Sequence, residues 1–151
     1  MADTAYKVIK DFINTKLNTI AGSGQKIEVV YDDPKQKASG YPAALIIPAA
    51  QESDYQSSNQ NQRIYSFQVN LVHEIQNTGL AGALDALGDL ADDVLDLFDK
   101  DETLTGIQAL LPTGYTMVAV RPARAGWQED EDRKLVFVNI KINVVLSVSL
   151  S

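Results

Sequence analysis

The chain has 151 residues, 45% of them hydrophobic, with a formal charge of −7 and no cysteine. Without cysteine there is no disulfide, no thiolate nucleophile and no thiolate-held zinc or iron–sulfur centre, which suits a reducing cytoplasm. The acidic excess argues against binding to a phosphate backbone, because Lys7, Lys10, Lys16, Lys35 and Lys37 are scattered among acidic or neutral neighbours. The N-terminus lacks a basic segment leading into an apolar run, and no stretch approaches about eighteen apolar residues, so the sequence reads as neither secreted nor membrane-spanning. Its length is that of one domain over residues 1–151, large enough to bury roughly 70% of its unfolded surface.

Ala5, Ile9, Phe12, Ile13, Leu17 and Ile20 form the stripe of an amphipathic helix over residues 3–20, with Asp3 or Thr4 as N-cap and Gly22-Ser23-Gly24 as its end. Lys26 to Tyr31 reads as a short strand stopped by Asp32-Asp33-Pro34. Ala43 to Ala50 is a second strand whose Pro48 points to an edge or a bulge. Residues 51–62 have almost nothing to bury and read as a mobile loop or a hairpin extension. From Arg63 to about Ile75 the alternation of Tyr65, Phe67, Val69 and Leu71 with Ser66, Gln68 and Asn70 predicts a third strand. Asn77-Thr78-Gly79 turns the chain into a helix whose seam is Leu80, Leu84, Leu87, Ala91, Val94 and Phe98.

On another face of that helix Asp85, Asp89, Asp92, Asp96 and Asp99 follow the same steps. This row is either a solvated face or the lining of an aqueous passage. Thr103 to Leu111 is an apolar connector, and Tyr115 to Arg121 a fourth strand. Residues 122–133 read as a hairpin loop carrying the lone tryptophan, Trp127, and the acidic run Glu129, Asp130, Glu131 and Asp132 beside Arg133. An exposed tryptophan at a loop tip is an interface anchor and a buried one caps the core; the charged run is a solvated turn or an edge that sets a neighbour's register.

The strongest pattern comes last. In LVFVNIKINVVLSVSL, residues 135–150, every even position is aliphatic, and only a strand gathers these onto one face. At roughly 3.3 Å per residue it extends about 50 Å, longer than a chain whose radius of gyration is about 15 Å should need. It must bend, pair over a long ladder, or reach another subunit, and Val144, Leu146, Val148 and Leu150 are the candidate assembly contacts. Short polar connections favour antiparallel pairing, so the expected fold is α+β, a mainly antiparallel sheet of four to five strands with two helices packed on it.

Chemistry is mostly absent. Phe98 to Thr105 resembles the first motif of haloacid-dehalogenase-type phosphatases, in which Asp99 would be the nucleophile and Asp101 the acid/base, and Gly88-Asp89 resembles their magnesium motif. The match departs in three ways. The preceding residues have helical rather than strand period, the acidic motif lies upstream instead of downstream, and Glu102 stands where the family has glycine. An EF-hand starting at Asp99 fails, with Leu104 at its glycine position and Leu110 at its glutamate position. His73, the only histidine, continues the apolar side of its strand with no catalytic companion, and Gly22-Ser23-Gly24 is too short for a phosphate cradle. No catalytic, cofactor or metal site is therefore read.

The first helix, the YPAALIIP strand, the polar loop, the RIYSFQVNLV strand, the LADDVLDLFDKDETLTG helix end and the C-terminal strand together resemble tail terminator or tail-completion proteins of long-tailed bacteriophages; related head–tail connectors share this plan. The resemblance implies a non-enzymatic ring, commonly hexameric, that caps the tail tube, stops its polymerisation and joins it to the head. Its partners would be further copies of itself, the tail tube protein and a head-completion or connector protein, with no membrane. It would assemble in the host cytoplasm and end in the virion. DNA would pass through the lumen unbound, and six copies at −7 each would present a formal charge of about −42.

Overall fold

The C-terminal alternation organises the molecule. A computed structural model gives the arrangement of residues 4–21, 27–31, 40–57, 60–75, 79–101 and 103–149, with the backbone alone along 49–57 and at 60. Strand β5, Leu135–Ser149, buries Val136, Val138, Ile140, Ile142, Val144, Leu146 and Val148 to between 0% and 6% exposure. It pairs antiparallel along its length with β3, Gln60–Glu74, on one side and β4, Tyr115–Asp130, on the other. Its length is thus absorbed by two equally long neighbours.

This corrects the expected arm. Both backbone edges of β5 are occupied, and Val144, Leu146 and Val148 lie in the chain's own interior, so this segment cannot pair with another subunit without unpairing its own sheet. Alternation reports which face is buried; it does not report which strands take up the backbone groups. Leu150 lies outside the described residues.

The remaining strands are β2, Ala43–Ser57, antiparallel to β3, and β1, Val29–Tyr31, parallel to β2 across Ala43–Leu45. The five-stranded sheet has the order β1-β2-β3-β5-β4. Helices α1, Ala5–Asn18, and α2, Leu80–Asp99, complete the α+β fold. Thr4 caps α1 by accepting the Lys7 N–H at 3.3 Å, while α2 opens on Gly79 with no side-chain cap.

Both helices contribute to one core. Ile9, Ile13 and Leu17 of α1 and Leu87, Ala91, Val94 and Phe98 of α2 join Phe67, Val69, Leu71, Ile140, Ile142 and Val144 of the sheet. At about 1.5–3 kcal/mol for each fully buried large aliphatic or aromatic side chain, this layer is the main source of stability. The seam of α2 is rotated from the expected one: Ala83 and Leu90 are buried, whereas Leu80 is 36% exposed. On the opposite face the centre of the sheet is polar, with Ser66 Oγ donating to Asn143 Oδ1 at 2.7 Å and Gln68 to Asn70 at 2.7 Å.

The segment read as a loop or hairpin extension and the one read as a hairpin loop both extend the sheet. The backbone of 51–57 continues β2 and that of 60–62 belongs to β3, so this stretch is the hairpin extension. Residues 122–130 continue β4, and the turn is only Glu131 to Lys134. Most of that stretch of β4 is exposed on both faces, and a strand with no buried face carries no period-two signal for sequence reasoning to find.

Candidate interface surfaces

The order of the strands leaves both sides of the sheet without a partner among the described residues: β4 along one side, and on the other the three-residue β1 followed by β2 beyond Leu45. Local hydrogen bonds fix which backbone groups point outward. Ser149 N–H donates to Gly114 C=O at 2.8 Å, so in an antiparallel ladder the next residue, Tyr115, turns its groups away from β5. The Gln108 carboxamide meets those groups, donating to Tyr115 C=O and accepting the Met117 N–H, both at 2.8 Å. Counting through the register shifts at Met117/Ala119 and Arg124/Gly126, the later outward residues are Val120, Pro122, Arg124, Trp127 and Glu129.

The same reasoning applies to β2. Glu28 N–H donates to Pro42 C=O at 2.8 Å, which sets Ala44, Ile46 and Pro48 outward and, beyond the bulge between Pro48 and Gln51, also Gln51, Ser53 and Tyr55. Both strand prolines therefore stand in the outward phase at an edge, where a missing N–H costs no ladder bond. Bulges, prolines and a side-chain cap are the devices by which a sheet limits the pairing of its edges. Gln108 has no motif of its own, and nothing in the sequence points to its role.

Trp127 is placed on β4, across from Val138 and 55% exposed. This corrects its placement on a loop, and the residue is more than half exposed. Glu129 and Asp130 end β4, while Glu131, Asp132 and Arg133 form the turn. The Asp130 carboxylate accepts from Arg133 Nε at 2.6 Å and from its backbone N–H at 3.2 Å, and chiefly this side-chain bond holds Asp130 below the usual carboxylate range. The Arg133 guanidinium lies 6.0 Å from the centre of the Phe137 ring.

Asp85, Asp89, Asp92 and Asp96 are all exposed along α2. Arg124 crosses to them from β4, donating to Asp92 Oδ1 at 3.2 Å and to Gly88 C=O at 3.1 Å. The row is thus an exposed acidic face that Arg124 of β4 reaches. Arg124 went unnoticed in the sequence because only the pairing of β4 brings it over α2.

Asp99 and Asp101 do not converge at the end of a strand as the phosphatase motif requires. Asp99 is exposed in the last turn of α2. Asp101 closes the following turn, accepting from Thr105 N–H at 2.9 Å and Thr105 Oγ1 at 2.8 Å, and pairs with Lys16 Nζ of α1 at 2.6 Å. The Lys16 bond first, with those of Thr105, holds its carboxyl below the ordinary value. Lys16, Ile20, Asp93, Asp96, Leu97, Lys100 and Asp101 line an open groove of about 400 Å³ here. Among the described residues no group of three or more metal-ligating side chains comes together. His73 is half-buried, its Nδ1 accepting the Glu74 N–H at 2.8 Å, and burial lowers its pKa.

No protein-family model and no curated protein matches the chain. Among solved structures, one chain from the virion of a native gene transfer agent particle has the same fold, with a TM-score of 0.51 and 14% identity over 95% of both chains. A second solved chain, at 17% identity over 99% of this chain and 97% of its own, gives a TM-score of 0.47 and carries no argument.

Proposed function

We propose that the chain is a virion structural protein of a long-tailed phage or phage-like particle. In this reading it forms a ring of its own copies, six in the family it resembles, at the head-proximal end of the tail tube, where it stops polymerisation and receives the head. The observation that carries the reading is the correspondence of fold with a chain of the gene transfer agent virion over 95% of both. The open sheet edges support it, since a ring needs two different surfaces on each copy.

The surfaces divide the work. Exposed Trp127, the end of β4 at Glu129 and Asp130, and the turn through Glu131, Asp132 and Arg133 meet a neighbouring copy, the tube protein or a head-completion protein. Asp85, Asp89, Asp92 and Asp96 supply an acidic lining past which DNA slides, because carboxylates offer phosphates no favourable contact. The protein assembles in the host cytoplasm and remains in the virion; among the described residues no helix is long and apolar enough to cross a membrane.

The test combines light scattering after size exclusion with negative-stain microscopy of the protein alone and mixed with tail tubes. Annular particles, free or at one end of the tubes, are the expected result. A monomer that leaves tubes uncapped overturns the reading.

A further inference from the structure

We propose that the two open edges of the sheet form a single joint: the β4 edge of one copy receives the β2 edge of a second copy, antiparallel, and the sheet continues across the boundary. The joint rests on the ring reading and names the surface that would build it.

Strand direction comes first. Because β2, β3, β5 and β4 are successively antiparallel, β4 runs opposite to β2. Copies that share an orientation, as subunits around a ring axis do, therefore present β4 to the neighbour's β2 with antiparallel sense. Such a heterologous contact uses two different surfaces and generates a ring when its rotation closes. Free backbone groups also meet there: Val120 on one side and Ser53 on the other are in the outward phase, with no partner among the described residues, and come opposite each other when Glu52 faces Arg121.

Charge selects this pairing over its alternatives. The free stretch of β4 carries Arg121 and Arg124, and that of β2 carries Glu52 and Asp54. A two-fold β4–β4 contact centred near Arg121 would set arginines against arginines, and a β2–β2 contact centred near Glu52 carboxylates against carboxylates, which is unfavourable for directly opposed residues. Around Arg121 the mixed pair joins opposite signs; Glu129 and Asp130 lie farther along β4.

The registers bring these positions close in height. Glu52 pairs with Ile64, Ile64 with Val145, and Val145 with Ala119. Ala119 and Arg121 share a face, the one that carries Ser66 and Asn143. A stagger of about two residues between copies, the kind of shear that strand tilt introduces into a closed sheet, sets Glu52 opposite exposed Arg121.

Charge reversal with rescue tests the joint. Arg121→Glu and Glu52→Arg, each checked for a native circular-dichroism spectrum, should each lower the assembled fraction in light scattering by about tenfold, and the double variant should restore it. The absence of cysteine allows a second reading: an oxidised mixture of tagged Glu52→Cys and untagged Arg121→Cys chains should give mainly the mixed dimer. If the unmodified chain assembles but the reversals have no effect, or homodimers dominate the cross-linking, the joint is overturned and the ring stands. An unmodified chain that neither leaves the monomer nor caps tubes overturns both.

Discussion

Asp101 ties the end of α2 to α1 through Lys16 while holding the turn to Thr105. With its side chain only 15% exposed, removing the charge should cost about 1.5–3 kcal/mol at neutral pH, the range for hydrogen bonds to a charged group. Its pKa is lowered in the folded state, so the stabilisation is complete above the unfolded value of 3.8 and disappears as the pH falls through the lower folded value. His73 acts at a higher pH. Burial lowers its pKa, so the unfolded chain takes up the proton first, and stability declines as the pH drops below the ordinary value of 6.5. Urea denaturation should therefore show two acid phases, the upper one removed by His73→Phe and the lower one reduced by Asp101→Asn. A deficit in Asp101→Asn that stays constant down to pH 2 would contradict the assignment. The aspartate pair also shows why motif spacing misleads: Asp101 holds a turn and Asp99 ends a helix, because helix rather than strand precedes them.

At the scale of the element, β5 was readable because one face is wholly apolar, and the helices because their stripes have helical period. The extensions of β2–β3 and of β4 were not readable as strands. Residues 51–57 and 60–62 have a polar sequence, and most of 122–130 is exposed on both faces, so neither stretch repeats with period two. The sequence therefore offered the end of β5, Val144 to Leu150, as an assembly contact beside the alternative of a long ladder. The structure shows the long ladder, with β5 between β3 and β4 and the open edges on strands of weaker pattern. Truncation after Val144 distinguishes these roles. It removes Leu146 and Val148 from the interior, about 1.5–3 kcal/mol each, and strips the ladder from the ends of both β3 and β4. Against a typical stability of about 5–15 kcal/mol, the truncated chain should lose its cooperative thermal transition. Leu146→Ala should cost about 2–5 kcal/mol yet assemble normally once the folded fraction is allowed for; a folded Leu146→Ala chain unable to assemble would return β5 to the interface.

At the scale of the whole molecule the strand order was not legible, because periodicity within a strand says nothing about a partner far along the chain. The centre of the sheet joins residues as distant as Ser66 and Asn143, 77 positions apart, and β5, which both halves await, is the last strand made. Non-local pairing of this kind must meet the entropy of closing a long loop before its contacts form, which places folding in the millisecond-to-second range. Until β5 docks, β3 and β4 each lack the partner that fills their inner edge, and these edges are open to wrong pairing. Completion of β5 is thus the step after which only the outer sides of the sheet, β4 on one and β1 with the free part of β2 on the other, stay open among the described residues. Stopped-flow refolding should locate that step: Val144→Ala, at the centre of the sheet, should slow folding, whereas Val30→Ala in the three-residue β1 should mainly accelerate unfolding. The opposite pattern would mean that the sheet nucleates at its β1–β2 side, and that the outer edge of β2 forms before the strand that completes the core.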